Sequence, residues 1–251
     1  MAEQKFPTEI IDLPSAGKVY SKDSPLSKGK LEIQYMTAKH EDILTSQNLI
    51  KKGVVIETLL DALIMTPDVT VDDLILGDKN AVMVAARILA YGPEYIAQVS
   101  SPDTGDAVSF TFNLADCPFK IIPDDVKMEG NAFTVKLPVS KTVIKFKLLT
   151  GRDEREISKE LASYKKTGTN ILPELTTGLR YSIISVDGDD NKSTITNFVN
   201  NLLSRDSLFL RQEMNRVSPD IELRQEVEME GETVTVDIPV TVDFFWPSTL
   251  K

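Results

Sequence analysis

Chemistry in this chain would have to start from scarce parts, because it holds one histidine, His40, and one cysteine, Cys117. A zinc site of the usual type takes three or four His or Cys ligands, and this pair supplies two at most. A nucleophile activated by imidazole would need His40 as its base. His40 sits in the helical run TAKHEDIL beside Glu41 and Asp42, where a solvated helix face accounts for it. DGDDN at 187–191 suggests a calcium loop, but a loop begun at Asp187 needs glycine sixth and glutamate twelfth. Lys192 and Phe198 stand there, so a polar turn between a strand and a helix is expected. There is no glycine-rich phosphate loop of either the nucleotide or the dinucleotide type. Carboxylates are plentiful, yet no pair falls where a buried cleft is predicted. No catalytic residue, no metal ligand and no cofactor-binding residue is therefore nominated, and a protein that is not an enzyme is expected.

Charge narrows the partners. Thirty-eight acidic against 28 basic residues give a formal net charge of −10, which argues against a large nucleic-acid footprint. The one basic cluster, KTVIKFK, puts Lys141, Lys145 and Lys147 on one strand face at period two, and reads as a solvated face. The longest apolar runs are broken by acids and fall short of a membrane span. MAEQKFPTEI lacks the layout of a secretion signal, and a single cysteine permits no intrachain disulfide, so a cytoplasmic origin is expected. Near the other end, Phe244, Phe245 and Trp246 are consecutive in a chain with one tryptophan. Read as a strand, they place Phe244 and Trp246 on one face and Phe245 on the other. Plain core and a partner-facing surface both remain open, and these three are the candidate partner-binding residues.

The elements that would hold these residues read as α+β, an N-terminal helical subdomain followed by antiparallel β-hairpins interleaved with helices. Residues 1–12 look extended or poorly ordered, and Leu13–Gly29 is dense in Pro, Gly and Ser, which is loop chemistry. Leu31, Ile33 and Tyr35 alternate with polar residues as a half-buried strand. Thr37 caps a helix, Gly53 breaks it, and a second helix covers about 54–65. Thr70 caps a short turn, and Asp78 caps a third helix that stops at Gly92-Pro93. Hairpins follow: YIAQV with AVSFTFNL across the turn 101–106, and NAFTVKLP with KTVIKFKLL. A charged helix opens at Gly151, whose mixed-sign faces read as solvated. LRYSIISV (179–186) reads as a strand. Residues 191–216 read as one or two helices with Ile195, Phe198, Val199, Leu202 and Leu203 buried. The end reads as a hairpin from IELRQEVEM and TVTVDIPV, then VDFFWP. The expected divisions are an extended segment 1–30, a strand plus helical subdomain 31–93, a hairpin region 94–150, a helix-strand-helix region 151–220, and a hairpin with an aromatic strand 221–251.

In that order the pieces resemble one phage family. LPSAGKVY (13–20), MTAKHEDIL (36–44), the Arg-containing helix closing on Tyr91-Gly92, and FFWP (244–247) are similar to the baseplate hub subunit or hub-assembly proteins of T-even-type contractile-tailed phages. The resemblance spans nearly the whole chain, carried by order and spacing rather than by one motif. It implies a non-enzymatic tail protein in baseplate hub assembly, a hub subunit or a chaperone for hub components. Its partners would be other hub and tail proteins, with neither nucleic acid nor membrane, and the oligomeric state is left open. It implies a place in the host cytoplasm during assembly and in the tail baseplate. Relatives carry cysteine knuckles that suggest a zinc ribbon. Here SPDTG (101–105) and VEMEGE (227–232) stand at those turns, so the resemblance implies the turns and not the zinc. The rival reading is a general adaptor that docks a partner through the helical subdomain.

Overall fold

The computed structural model describes residues 6–100, 107–166, 171–229, 231–240 and 242–245. The expected lead-in is a strand. β1 (Thr8–Asp12) runs antiparallel to β2 (Lys30–Gln34), with Ile11 opposite Leu31 and Glu9 opposite Ile33. The Pro/Gly/Ser-rich stretch between them turns on Gly17 and Gly29, both in the left-handed region, where a Cβ on either would overlap backbone of the facing turn. The helical stretch after Thr37 is two helices, α1 (Ala38–Thr45) and α2 (Gln47–Lys52), parted at Ser46. Gly53 closes α2 with a left-handed φ of 68°. Next come α3 (Val55–Leu63), a 3-10 turn at Val71–Asp73 capped by Thr70, and α4 (Leu76–Tyr91).

β3 (Glu94–Ser100) and β4 (Ala107–Asn113) form the first expected hairpin, its turn lying outside the described residues. β5 (Phe119–Lys120) is short. β6 (Phe133–Lys136) and β7 (Val143–Phe146) form the second hairpin. α5 (Gly151–Lys166) is the charged helix, and α6 (Glu174–Ser182) follows. Only the second half of LRYSIISV is strand: β8 (Ile183–Val186) joins β7, while Leu179–Ser182 finishes α6. That helix starts after Pro173 and buries Thr177 and Leu179, so its buried stripe begins upstream of the apolar run that suggested a strand. α7 (Lys192–Asn200) and α8 (Ser204–Val217) bury Ile195, Val199 and Leu210, but Leu203 caps α8 from outside and is half exposed. β9 (Asp220–Ile221) pairs with β5. β10 (Arg224–Met229) and β11 (Glu232–Asp237) make the last hairpin, and Val242–Phe245 is a 3-10 turn rather than a strand. The fold class is α+β, as expected.

Two apolar clusters hold these elements. The first gathers Leu13, Leu31, Ile33, Leu44, Leu59, Leu60, Leu63, Val82, Phe112, Phe244 and Phe245 with their neighbours. It lies among β1–β2, α1, α3, α4 and the hairpins β3–β4 and β10–β11. The second gathers Val19, Ile75, Phe133, Ile144, Phe146, Leu179, Ile195, Val199 and Leu210 around the sheet β6–β7–β8. Tyr20 packs against both. The elements approach to backbone contact at two glycines. A Cβ at Gly77 would overlap the Pro219 carbonyl, and one at Gly151 would overlap the Val71 carbonyl.

Candidate functional site

The residues that draw the two clusters together belong to the loop Leu13–Tyr20 and to the first turn of α4. Asp78 is fully buried. It accepts hydrogen bonds from Ser15 N–H (2.9 Å), Ser15 Oγ (2.7 Å) and Tyr20 OH (2.6 Å). Tyr20 in turn accepts from Ile75 N–H at 3.0 Å. Leu13 at one end of the loop enters the first cluster and Val19 near the other enters the second. The sequence points to Asp78 as the cap of α4; the cap position is Ile75, and Asp78 sits three residues in. Its carboxylate lies over the helix start, where the dipole favours negative charge, but its oxygens are spent on the loop. Burial raises the Asp78 carboxyl above its ordinary range, against the pull of the Ser15 and Tyr20 hydrogen bonds. Burial and the neighbouring Asp78 charge also push the Tyr20 phenol up. Ser15 donates to the Asp78 carboxylate, but both are buried, 1% and 0% exposed, so no substrate reaches the hydroxyl. The arrangement is a clasp.

A second buried polar group ends the same helix. Arg87 is 3% exposed, and its guanidinium donates to the Gly92 carbonyl (3.0 Å) and the Glu94 carbonyl. It lies over the rings of Tyr91 and Tyr95, 5.1 Å and 5.9 Å from their centroids. The Arg-containing end of α4 thus fixes the turn into β3. His40, expected on a solvated face, is 8% exposed. It stands third in α1, and its Nδ1 accepts from Thr37 N–H at 2.9 Å, so it completes the Thr37 capping box in the role glutamate usually fills. Burial and Lys39 lower its pKa.

Phe244 and Phe245, candidates for a partner surface, are 1% and 2% exposed. In a 3-10 turn both rings reach inward. Phe244 meets Tyr95 edge-on at 5.2 Å and Phe245 at the same distance, and the Tyr95 hydroxyl donates to the Pro239 carbonyl. Trp246 lies outside the described residues. The three lysines of KTVIKFK are engaged: Lys141 donates to the Pro138 carbonyl, Lys145 pairs with Glu129, and Lys147 pairs with Asp153 at 2.7 Å. DGDDN is the polar turn expected: Asp187 accepts from Val143 N–H, Asp189 from Asn191 N–H and Thr194, and Asn191 caps α7.

α5 is not simply solvated. Its charges reach other elements, Arg152 to Asp73, Arg155 to Asp72, Glu154 to the buried Lys79 and Glu160 to Arg180, and Asp153 pairs with the nearby Lys147. Two clefts flank it. One of about 380 Å³ carries Lys147, Asp153, Glu160 and Arg180 on its walls, and one of about 700 Å³ separates it from α3. In the first cleft Lys147 pairs with Asp153 and Arg180 with Glu160, and in the second Arg155 pairs with Asp72. Among the described residues no group of His, Cys, Asp and Glu is arranged to hold a metal ion, and no helix is long and apolar enough to cross a membrane.

The clasp escapes a reading of local pattern. Its signal is present as LPSAGKVY, a loop motif in which Ser15 Oγ accepts locally from Gly17 N–H while the Ser15 and Tyr20 hydroxyls donate to Asp78. The model of one family, described as T4 bacteriophage base plate protein, matches residues 8–246. No curated protein and no solved structure matches. The matched span runs from the first residue of β1 past the buried Phe244–Phe245 turn and takes in the clasp, the Arg87 corner and both clusters. The chain belongs to the T4 bacteriophage base plate protein family.

Proposed function

We propose that this protein serves construction of the baseplate hub, as a hub subunit or as a chaperone that holds hub components before the tail tube nucleates. The family match across 8–246 carries the reading. The polar groups described above support it, because they are spent on internal ties: Asp78 on the loop, Arg87 on backbone, α5 on cross-chain pairs. Work of this kind rests on surface shape and apolar contact, with the acidic surface keeping the protein soluble and discouraging wrong partners. The partners are other hub and tail proteins, not nucleic acid and not membrane, met in the host cytoplasm and carried into the tail baseplate. Phe244 and Phe245 act as the buried anchor of the aromatic end, with Trp246 as the residue that meets the partner.

Co-expression with the hub and spike proteins of the same genome tests this directly. Capture of one or more of them at low salt is expected, and Trp246→Ala should weaken that capture. Failure to co-purify with any of them at low salt overturns the hub assignment.

A further inference from the structure

Among the described residues, the β1–β2 sheet has one edge covered at its centre and one open edge. Tyr35 N–H donates to the Pro7 carbonyl at 3.1 Å, and Leu13 N–H to the Gly29 carbonyl at 2.8 Å. With Glu9 opposite Ile33 and Ile11 opposite Leu31, the odd-numbered residues of β1 are the ones bonded to β2. The N–H and C=O groups of Thr8, Ile10 and Asp12 therefore point away from β2. On β2 the central outward residue is covered: Met65 N–H donates to the Glu32 carbonyl, and Glu32 N–H donates to Thr66 Oγ1. On β1, among the described residues, no backbone or side-chain group bonds to them.

We propose that this edge pairs with the same edge of a second copy of the chain, as an antiparallel β1–β1 ladder about a two-fold axis at Ile10. Three observations favour a second copy. First, the outward groups are self-complementary. An axis at Ile10 sets all five residues of one strand against all five of the other, Ile10 on Ile10 and Thr8 on Asp12. An axis at Asp12 would put two carboxylates face to face, a destabilising arrangement. Second, in the Ile10 register no like charges are opposed, for Glu9 falls opposite Ile11, and Asp12 is already paired with Lys30 of its own sheet at 3.2 Å. Third, the edge has no lysine, proline or bulge within it, and its two charges, Glu9 and Asp12, lie off the centre. Instead Ile10, at its centre, is 62% exposed. The product is a four-stranded sheet in the order β2-β1-β1-β2, with Ile10 side chains packed across the axis and half-exposed Phe6 flanking the ladder.

Sedimentation of the full chain over a micromolar concentration series reads the outcome, with a monomer–dimer equilibrium expected. Ile10→Pro removes only an outward N–H, which an edge strand tolerates. It should keep the circular dichroism and unfolding midpoint of the parent while weakening the dimer about tenfold or more. Ile11→Pro, which removes a donor to β2, should lower the midpoint instead. Ile10→Cys supplies an independent reading, since the native Cys117 is buried. Residues opposed in a hydrogen-bonded pair stand about 5.5 Å apart at Cα, within disulfide reach. Mild oxidation of that variant should therefore give a covalent dimer. A chain that stays monomeric across the series, with an Ile10→Cys variant that fails to cross-link, overturns the proposal. So does a dimer that survives Ile10→Pro, or an edge found seated on a different tail protein while the chain alone remains monomeric.

Discussion

Asp78 carries a charge into the interior without a cation among the described residues to meet it, and three donors from the Leu13–Tyr20 loop take the cation's place. Hydrogen bonds to a charged acceptor are the stronger kind, and removing the acceptor strands its donors in a dry site. Asp78→Ala should cost about 3 kcal/mol or more in urea unfolding, and Tyr20→Phe about 1–2 kcal/mol. Two groups give this stability opposite pH dependence. The Asp78 carboxyl is raised by burial, so the folded chain holds that proton more tightly than the unfolded chain. Its contribution therefore falls as pH rises from the ordinary carboxylate range through the raised value. The His40 pKa is lowered by burial and by Lys39, so its contribution is present above the ordinary imidazole range and is lost as pH falls through the lowered value. His40→Gln keeps an acceptor in the capping box and should flatten the loss on the acid side of neutrality, while Asp78→Asn should remove the opposite trend. Urea titrations of the three proteins at stepped pH separate the two. Neither residue was legible in the sequence, for the same reason. Local pattern shows what surrounds a residue along the chain, and Asp78 finds Ser15 sixty-three positions away, while polar neighbours disguised the buried ring of His40.

At the scale of elements, α5 is held by charge more than by apolar burial, since Gly151 is its only buried described residue. Ion pairs between partly exposed side chains contribute little singly and are screened by salt, but here several act on one helix. Hydrogen exchange in α5 should therefore rise with ionic strength while α4, buried along much of its length, stays protected. Equal protection at low and high salt would show that apolar contact holds α5. The close approaches are stricter. Gly77→Ala forces a methyl group onto the Pro219 carbonyl, and relief by backbone shift should cost about 3 kcal/mol, read as a fall in the denaturant midpoint. Alternation and capping made most strands and helices legible, including the three hairpins, α4 and the Thr37 start of α1. Two elements misled for physical reasons. Leu179–Ser182 reads as strand because it precedes a true strand of the same apolar character. The FFWP region reads as strand because adjacent aromatics favour one, whereas the first cluster draws both phenylalanines inward as a tight turn.

Over the whole molecule, the opening strand-helix stretch and the closing aromatic turn share one cluster: Leu31, Leu44, Leu59, Phe244 and Phe245 are all in it. Truncating either phenylalanine should cost about 3–5 kcal/mol, so the chain's last described residues stabilise its first helices. The second cluster is built from later elements, yet Ile75 and Val19 enter it from the early part of the chain. The two cores are thus not successive along the sequence, and the loop 13–20 with the first turn of α4 is threaded into both. A fold laced in this way should unfold as one unit. Cutting the lace without touching either core should part them. Asp78→Ala removes only the clasp, so its loss should appear as a broadened or split transition as well as a lower midpoint. Native-state hydrogen exchange makes the distinction segment by segment. In the parent protein, amides of α3 and α4 and amides of β6, β7 and β8 should open with the same free energy. In Asp78→Ala the two sets should separate, with one retaining protection while the other loses it. If both fall together by the same amount, the clasp contributes energy but does not couple the cores, and Gly77 with its seat on Pro219 becomes the place where they are joined.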